Sequence, residues 1–283
     1  MTIFNLLPRI EVWSSGIWPI ELPELAESNT TTPLTDLHFM ELDEPDPNMI
    51  GVGNSGTFPA LIPPGLIIGG LDQNRMVPFP TVVPAGMTIG VEVFCVEQSR
   101  FGGRAQQYLG GRAPIQFWLD REPNPVSVSP IRRRNPAIDQ PAIWDQIRQL
   151  SDRSDSNPDL ALDRLLTTGV GHPMTPSIDA GWGRSTAFAL EIQGSLLRIE
   201  MYANQKDAQY MAFSTARCYL KFAPDRNLGL TRDKVQKLTE NFFAKDFRSS
   251  PRRDFHFEEI RGTTGEVLFA ELTNYQNRLL TSV

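Results

Sequence analysis

The stretch from Gly69 to Arg100, GGLDQNRMVPFPTVVPAGMTIGVEVFCVEQSR, decides the fold class. From Met87 the alternation is strict. Met87, Ile89, Val91, Val93 and Cys95 fall on one face, and Thr88, Gly90, Glu92, Phe94 and Val96 on the other. A period of two over about ten residues is the pattern of a half-buried strand. Pro84-Ala85-Gly86 ahead of it is a turn, with Gly free to take positive φ at its end. Upstream, FPALIPPGLIIGG (58–70) and MVPFPTVV (76–83) are short apolar runs broken by Pro and Gly. They read as strands, placed by their prolines at edges or strand starts. IEVWSSGIWPIEL (10–22) and LHFMELDE (37–44) suggest two or three more. No helical pattern separates these strands, so the N-terminal part is expected to be β-rich and antiparallel.

Beyond Gln98 the character changes. Residues 98–135 are rich in Gly, Pro and Arg, with little periodicity, and are read as a long excursion. DQPAIWDQIRQLSDRS predicts a helix with Asp139 as N-cap, Pro141 in the first turn, and Ile143, Ile147 and Leu150 on one side. NPDLALDRLLTT repeats that logic from Asn157 and Pro158, and residues 169–183 read as loop. STAFALEIQGSLLRIEMYA predicts a hairpin around Gln193-Gly194-Ser195. Asn204 then caps a helix whose Ala208, Met211, Ala212, Thr215, Cys218, Tyr219 and Phe222 make one stripe. Thr231 opens another, with Val235, Leu238 and Phe242 inward, and residues 254–274 close as a hairpin. The fold class is therefore α+β: a β-rich, antiparallel, sandwich-like core with a long Gly/Arg/Pro loop and three to four appended helices. The expected organisation is one composite domain over 1–283, with a β-rich part (1–97), the excursion (98–135) and an α+β part (136–283).

Composition narrows the function. A chain of 283 residues with 40% hydrophobic content can bury a real core. A net charge of -6 argues against general attraction to nucleic acid or anionic membrane. No run of about 18 apolar residues is present, and the start MTIFNLLPRIEVW lacks the pattern of a secretory leader. A cytoplasmic protein is expected. Cys95 and Cys218 lie in apolar periodic segments and read as buried thiols. His38, His172 and His256 are isolated, so no metal site and no cofactor is expected. No P-loop, dinucleotide fingerprint or nucleophile elbow appears.

Gly69-Gly70-Leu71-Asp72-Gln73-Asn74-Arg75, then Val83-Pro84-Ala85-Gly86, then Cys95-Val96-Glu97 with Arg100, resembles a bacterial family. That family is named for its association with ADP-ribosylglycohydrolases and rhodanese-phosphatase-superfamily proteins. Ala142 to Ile147 is similar to its Trp-bearing helix, and LLRIEMYANQKDAQYMAFSTARCYLKFA to a strand and helix that follow. The resemblance implies a β-rich core with appended helices, and its genomic company hints at conflict systems or ADP-ribose-linked metabolism.

Two readings of the polar residues stand side by side. Gln73, Asn74, Arg75, Glu97 and Arg100 could grip a small anionic ligand such as a ribose phosphate. Alternatively Asp72 to Arg75 is a turn that bonds its own backbone, a cheaper account of the same residues. Glu97 is expected to pair with Arg75 or Arg100, and Cys95 to be structural, so no catalytic residue is assigned. Arg100, Arg104, Arg112, Arg121, Arg132, Arg133 and Arg134, against only Asp120 and Glu122, make the excursion locally basic in an acidic chain. Arg104, Arg112, Arg132, Arg133 and Arg134 are the candidate contacts to an acidic partner, most simply another copy of the chain. The favoured function is a non-catalytic binding or self-assembling component, a homo-oligomer of a bacterial conflict or defence system. The alternative is an enzyme or sensor for an ADP-ribose-like or other phosphorylated ligand. That alternative requires the five residues to line one concavity; mutual burial in a dry core counts against it.

Overall fold

The computed structural model describes residues 4–12, 15–23, 31–44, 46–98, 107–118, 140–151, 160–167, 179–192, 194–219, 230–244, 255–261 and 267–274. Its strands pair into antiparallel sheets, accompanied by helices, as the α+β expectation requires. The chain divides into two compact units, one of residues 1–34, 56–61 and 172–283, the other of residues 35–55 and 62–171. No helix among the described residues is long and apolar enough to cross a membrane.

In the 35–55 and 62–171 unit, a three-stranded sheet runs Met87–Glu92, Met49–Asn54, Leu37–Met40. Gly86 takes φ of 67° and the Met87 N–H donates to the Pro84 carbonyl at 3.3 Å, closing the Pro-Ala-Gly turn. The strand is shorter than its alternation suggests. It ends at Glu92, the Val93 N–H donates to the Asn48 carbonyl at 2.8 Å, and Phe94–Cys95 pairs elsewhere. Its new partner is Arg75–Met76, in a four-stranded sheet ordered Phe94–Cys95, Arg75–Met76, Leu66–Gly69, Tyr108–Arg112. Exposure explains the handover: Met87 is 51% exposed, whereas Val91 and Val93 to Val96 are buried. One alternating run passes from a sheet rim into a core, and side chains keep alternating across the change of partner.

Tyr108–Arg112 lies inside the stretch read as a structureless excursion. Its glycines are what make it fit. Gly111 has φ of 93° at a bulge between Leu109 and Gly111, and a Cβ on Gly110 would lie 2.8 Å from Ile67 Cγ2. The helix Gln140–Ser151 buries Ile143 and Ile147 as expected. The next helix starts late, at Leu162–Thr167, while Asn157 and Pro158 lie outside the described residues. Leu160 sits at φ of 45° and Ala161 bridges to Glu97, so the chain is tied as a strand just before the helix begins.

The other unit centres on a seven-stranded sheet. Its order is Asn5–Leu6, Ser15–Glu21, Ala187–Ile192, Ser195–Tyr202, Val267–Asn274, Phe255–Arg261, with Ile10–Val12 also beside Ser15–Glu21. The predicted hairpin is present: Ile192 pairs with Ser195 and Gly194 has φ of 74°. One face, with Trp18, Ile20, Ala187, Ala189, Ile199 and Met201, packs on Val235 and Phe242 of the helix Arg232–Phe243. On the other, Phe188 stacks on Tyr202 at 6.4 Å, and Trp182 lies 6.3 Å from Phe188 and 6.1 Å from Phe213 of the helix Gln205–Cys218. Covering both faces is why these strands read as continuous apolar runs; each fully buried large side chain stabilises by about 1.5–3 kcal/mol. Asn204 caps its helix as expected, its Oδ1 accepting from the Asp207 N–H at 2.8 Å.

Candidate functional site

Asp72 to Arg75 forms the bend that turns Leu66–Gly69 back into Arg75–Met76, with Ile68 opposite Arg75. Gly70 takes φ of 91° and its N–H donates to Asn74 Oδ1 at 3.4 Å, closing the bend on itself. The turn reading of these residues is therefore the one the geometry follows, but Asn74 does far more than close a turn. Its N–H donates to Glu97 Oε2 at 3.1 Å, its carbonyl accepts from the Val96 N–H at 2.9 Å, and Nδ2 donates to Asp163 Oδ1 at 2.7 Å. One residue thus ties the bend, the Phe94–Glu97 segment and the first turn of the Leu162–Thr167 helix. Asp163 also accepts from the Tyr108 hydroxyl at 2.7 Å on its second oxygen.

Gln73 and Arg75 complete the knot. Gln73 Nε2 donates to the Glu97 carbonyl at 3.3 Å, and its Oε1 accepts from Arg75 Nη1 at 3.2 Å. Arg75 Nη1 also donates to the Pro47 carbonyl at 2.9 Å, and Nη2 lies 3.8 Å from Glu41 Oε1. Expected as a partner of Glu97, Arg75 is set against Glu41, whose Oε1 also accepts from the Asp72 N–H at 2.9 Å. The Cys95 thiol donates to the Glu97 carbonyl at 2.9 Å, and so lies against the Glu97 backbone.

Four of the five candidate ligand residues are brought together, and all four are buried: Gln73 7%, Asn74 2%, Arg75 4% and Glu97 1% exposed. Arg100 lies outside the described residues, as do Arg104, Arg132, Arg133 and Arg134. Arg112 does not face solvent. It is 1% exposed, its Nε donates to the Pro64 carbonyl at 3.1 Å, and its guanidinium sits 5.1 Å from the Trp118 ring centroid.

Asp163 and Tyr108 join the site without having been singled out in the sequence. An Asp in the first turn of a helix is ordinary N-terminal chemistry and carries no mark of burial. Tyr108 is placed by glycine: a Cβ on Gly69 would lie 2.2 Å from Tyr108 Cζ, so only a bare backbone lets the ring cross the strand to reach Asp163. Tyr108 is 40% exposed, the half-open door of an otherwise closed knot.

Electrostatics leave no activated nucleophile here among the described residues. Burial pushes the Cys95 thiol up from its ordinary value, against the opposing pull of a backbone hydrogen bond from Glu97 and of Arg75. Burial, then the hydrogen bond to Asp163, push the Tyr108 phenol up to about 12. Both groups hold their protons at neutral pH. Among the described residues, no group of three or more His, Cys, Asp or Glu is arranged to hold a metal ion.

The other unit has polar clusters of its own. Arg198, 1% exposed, pairs with Glu200 and Glu271, both 0% exposed, and the Tyr202 hydroxyl donates to Glu200 Oε2 at 2.6 Å. Glu191, 1% exposed, accepts from Arg9 Nε at 2.6 Å, Trp18 Nε1 at 3.1 Å and the Leu230 N–H at 2.9 Å. These too are bonded carboxylates in a core.

One family model matches residues 41–252, a range that contains the whole knot: that of the ARG and Rhodanese-Phosphatase-superfamily-associated Protein domain. No curated protein and no solved structure matches the chain.

Proposed function

The chain belongs to the ARG and Rhodanese-Phosphatase-superfamily-associated Protein domain family, and from that premise we propose that it is a non-catalytic, self-associating binding component. The observation that carries this reading is the burial of the family-like motif. Gln73, Asn74, Arg75 and Glu97 are 1–7% exposed and spend their hydrogen bonds on one another, on backbone and on Asp163. Residues arranged so are scaffold: a ligand would have to displace bonds that hold three chain segments together. Self-association draws support from charge. Apart from the buried Arg112, the run from Arg100 to Arg134 is basic within a chain of net charge -6, so another copy offers the acidic surface that it complements. The family's association with ADP-ribosylglycohydrolase and rhodanese-phosphatase-superfamily proteins supports a place in a bacterial conflict or defence system, in the cytoplasm.

Light scattering after gel filtration, at low and high salt, tests the reading. An oligomer is expected, and a monomer at both salt concentrations refutes it. The alternative, an enzyme or sensor for an ADP-ribose-like or other phosphorylated ligand, has one observation in its favour: Tyr108 links the knot to solvent. Against it, the carboxylates of Glu97 and Asp163 would repel a phosphate at that door. A rise in unfolding temperature with ADP-ribose, lost in Tyr108→Ala, would establish the alternative.

A further inference from the structure

We infer that Met40 is a redox-sensitive modification site: hydrogen peroxide converts its exposed thioether to the sulfoxide, and the polar product leaves the sheet face that the thioether covers. This goes beyond the self-association reading and does not rest on it. The inference starts from register in the sheet Met87–Glu92, Met49–Asn54, Leu37–Met40. Leu37, Phe39, Ile50, Val52 and Val91 share one face, and all are buried. The opposite face carries His38 and Met40 on one strand, Gly51 and Gly53 on the middle strand, and Thr88 and Gly90 on the third. His38, Met40, Thr88 and Gly90 are exposed, as befits the solvent side of an antiparallel sheet. Gly51 and Gly53 lie on that same side and are buried.

Met40 reaches across both of them. It stands opposite Gly51 in the register, and a Cβ on Gly51 would lie 2.7 Å from Met40 Cγ and 3.4 Å from Sδ. The same side chain runs on to Gly53, where a Cβ would be 3.6 Å from Met40 Cε. Glycine inside a strand marks a place where something approaches the backbone closely. Here it is a thioether laid along two residues of bare main chain, a task that suits an unbranched, polarisable side chain. Met40 is nevertheless 40% exposed, so a small water-soluble oxidant reaches it.

The step is a two-electron oxygen transfer. One peroxide oxygen bonds to Met40 Sδ as the O–O bond breaks, sulfur gives up two electrons, and water leaves. The sulfoxide is polar and chiral where the thioether was apolar. It gains more from water than from the Gly51 backbone, so the side chain swings outward and uncovers Gly51 and Gly53 in the strand that binds both neighbours. Sulfoxide reductases reverse the oxidation, which makes the change a switch rather than damage. Met87 is the built-in reference. At 51% it is the more exposed of the two, but it projects from the other face and stands opposite Asn54 rather than a glycine.

Graded exposure of the full chain to dilute hydrogen peroxide, followed by peptide mass mapping and thermal unfolding, tests the inference. Met40 and Met87 should each gain one oxygen about tenfold or more faster than Met76, Met201 and Met211, which are 0–7% exposed. Cys95 and Cys218, each 2% exposed, are shielded, so the loss of stability reads methionine. The unfolding temperature should fall by about 2–4 °C in step with oxygen at Met40, not at Met87. Met40→Leu should protect against that fall and Met87→Leu should not, while Met40→Gln should reproduce it without peroxide. If either Met40 variant fails to fold, the time course of the unaltered chain still decides. Oxidation of Met40 no faster than that of Met211 would overturn the site. A stability loss that follows Met87, or none once Met40 is oxidised, would overturn the switch.

Discussion

Asn74→Ala cuts the knot's central link. The substitution keeps the two backbone bonds to Glu97 and Val96 but deletes the 2.7 Å bond from Nδ2 to Asp163 Oδ1, together with the longer 3.4 Å bond that Oδ1 accepts from the Gly70 N–H. Hydrogen bonds to charged groups are worth about 1.5–3 kcal/mol, and Asp163, 7% exposed, has little access to water as a replacement. Its other oxygen keeps Tyr108, so the carboxylate is weakened in its support without being orphaned. The expected loss is about 2–3 kcal/mol, a large share of the 5–15 kcal/mol typical of a domain. In urea, with a slope near 1–3 kcal/mol/M, the midpoint falls by about 1 M. The loss is also local. The Leu162 N–H, bonded to the Val96 carbonyl at 2.9 Å, should exchange faster with solvent deuterium before the core opens. Asn74→Asp adds the pH signature. The introduced carboxyl, beside Asp163 and Glu97, is forced above the ordinary carboxylate range, so stability is kept in acid and lost as pH rises through that raised value. A cost below about 0.5 kcal/mol for Asn74→Ala, or a pH-independent Asn74→Asp, would show that the knot does not hold the helix.

Three further outcomes follow from distances already given. Glu191→Ala removes the acceptor of Arg9 Nε, the Trp18 indole and the Leu230 N–H, while Arg9 Nη1 keeps Glu11 at 2.8 Å, and should cost about 3–5 kcal/mol in chemical denaturation; Glu191→Gln should cost less, since it still accepts. Gly69→Ala pushes the Tyr108 ring off its strand, so one phenol that titrates at about 12 by ultraviolet absorbance should fall back towards the ordinary value near 10. In the intact protein that raised phenol adds stability present below pH about 10, lost as pH climbs through its folded value. Cys95, 2% exposed with its thiol pushed up, should resist an aromatic disulfide reagent until the chain unfolds; fast labelling in native buffer would contradict its burial.

What the sequence disclosed were the features with local causes. Asn204 as a cap, the Gly194 hairpin and the Gly86 turn each need only a few neighbouring residues, and each is where its chemistry put it. What stayed hidden depends on distant partners. The strand Tyr108–Arg112 looked like loop because its glycines are explained only by Ile67 and by the ring of Tyr108 itself lying on Gly69. The late start of Leu162–Thr167 depends on Ala161 bridging to Glu97. For the site, sequence proximity found Gln73, Asn74 and Arg75 as a group and Glu97 as their companion. Asp163 lies 89 positions from Asn74, and nothing local marks either as the other's partner.

The seven-stranded sheet also sets a timetable for the ribosome. Its strand Ser15–Glu21 pairs with Ala187–Ile192, and Trp18 finds Glu191 only 173 positions later. At about 5–20 residues per second, that is roughly ten to thirty-five seconds in which an apolar strand has only the short strands Asn5–Leu6 and Ile10–Val12 beside it. The residues of the other unit, 35–55 and 62–171, are all synthesised within that interval. Nascent chains halted just short of Ala187 should therefore expose Ile17, Trp18 and Ile20 to protease and to holding chaperones, and chains carried past Tyr202 should begin to hide them.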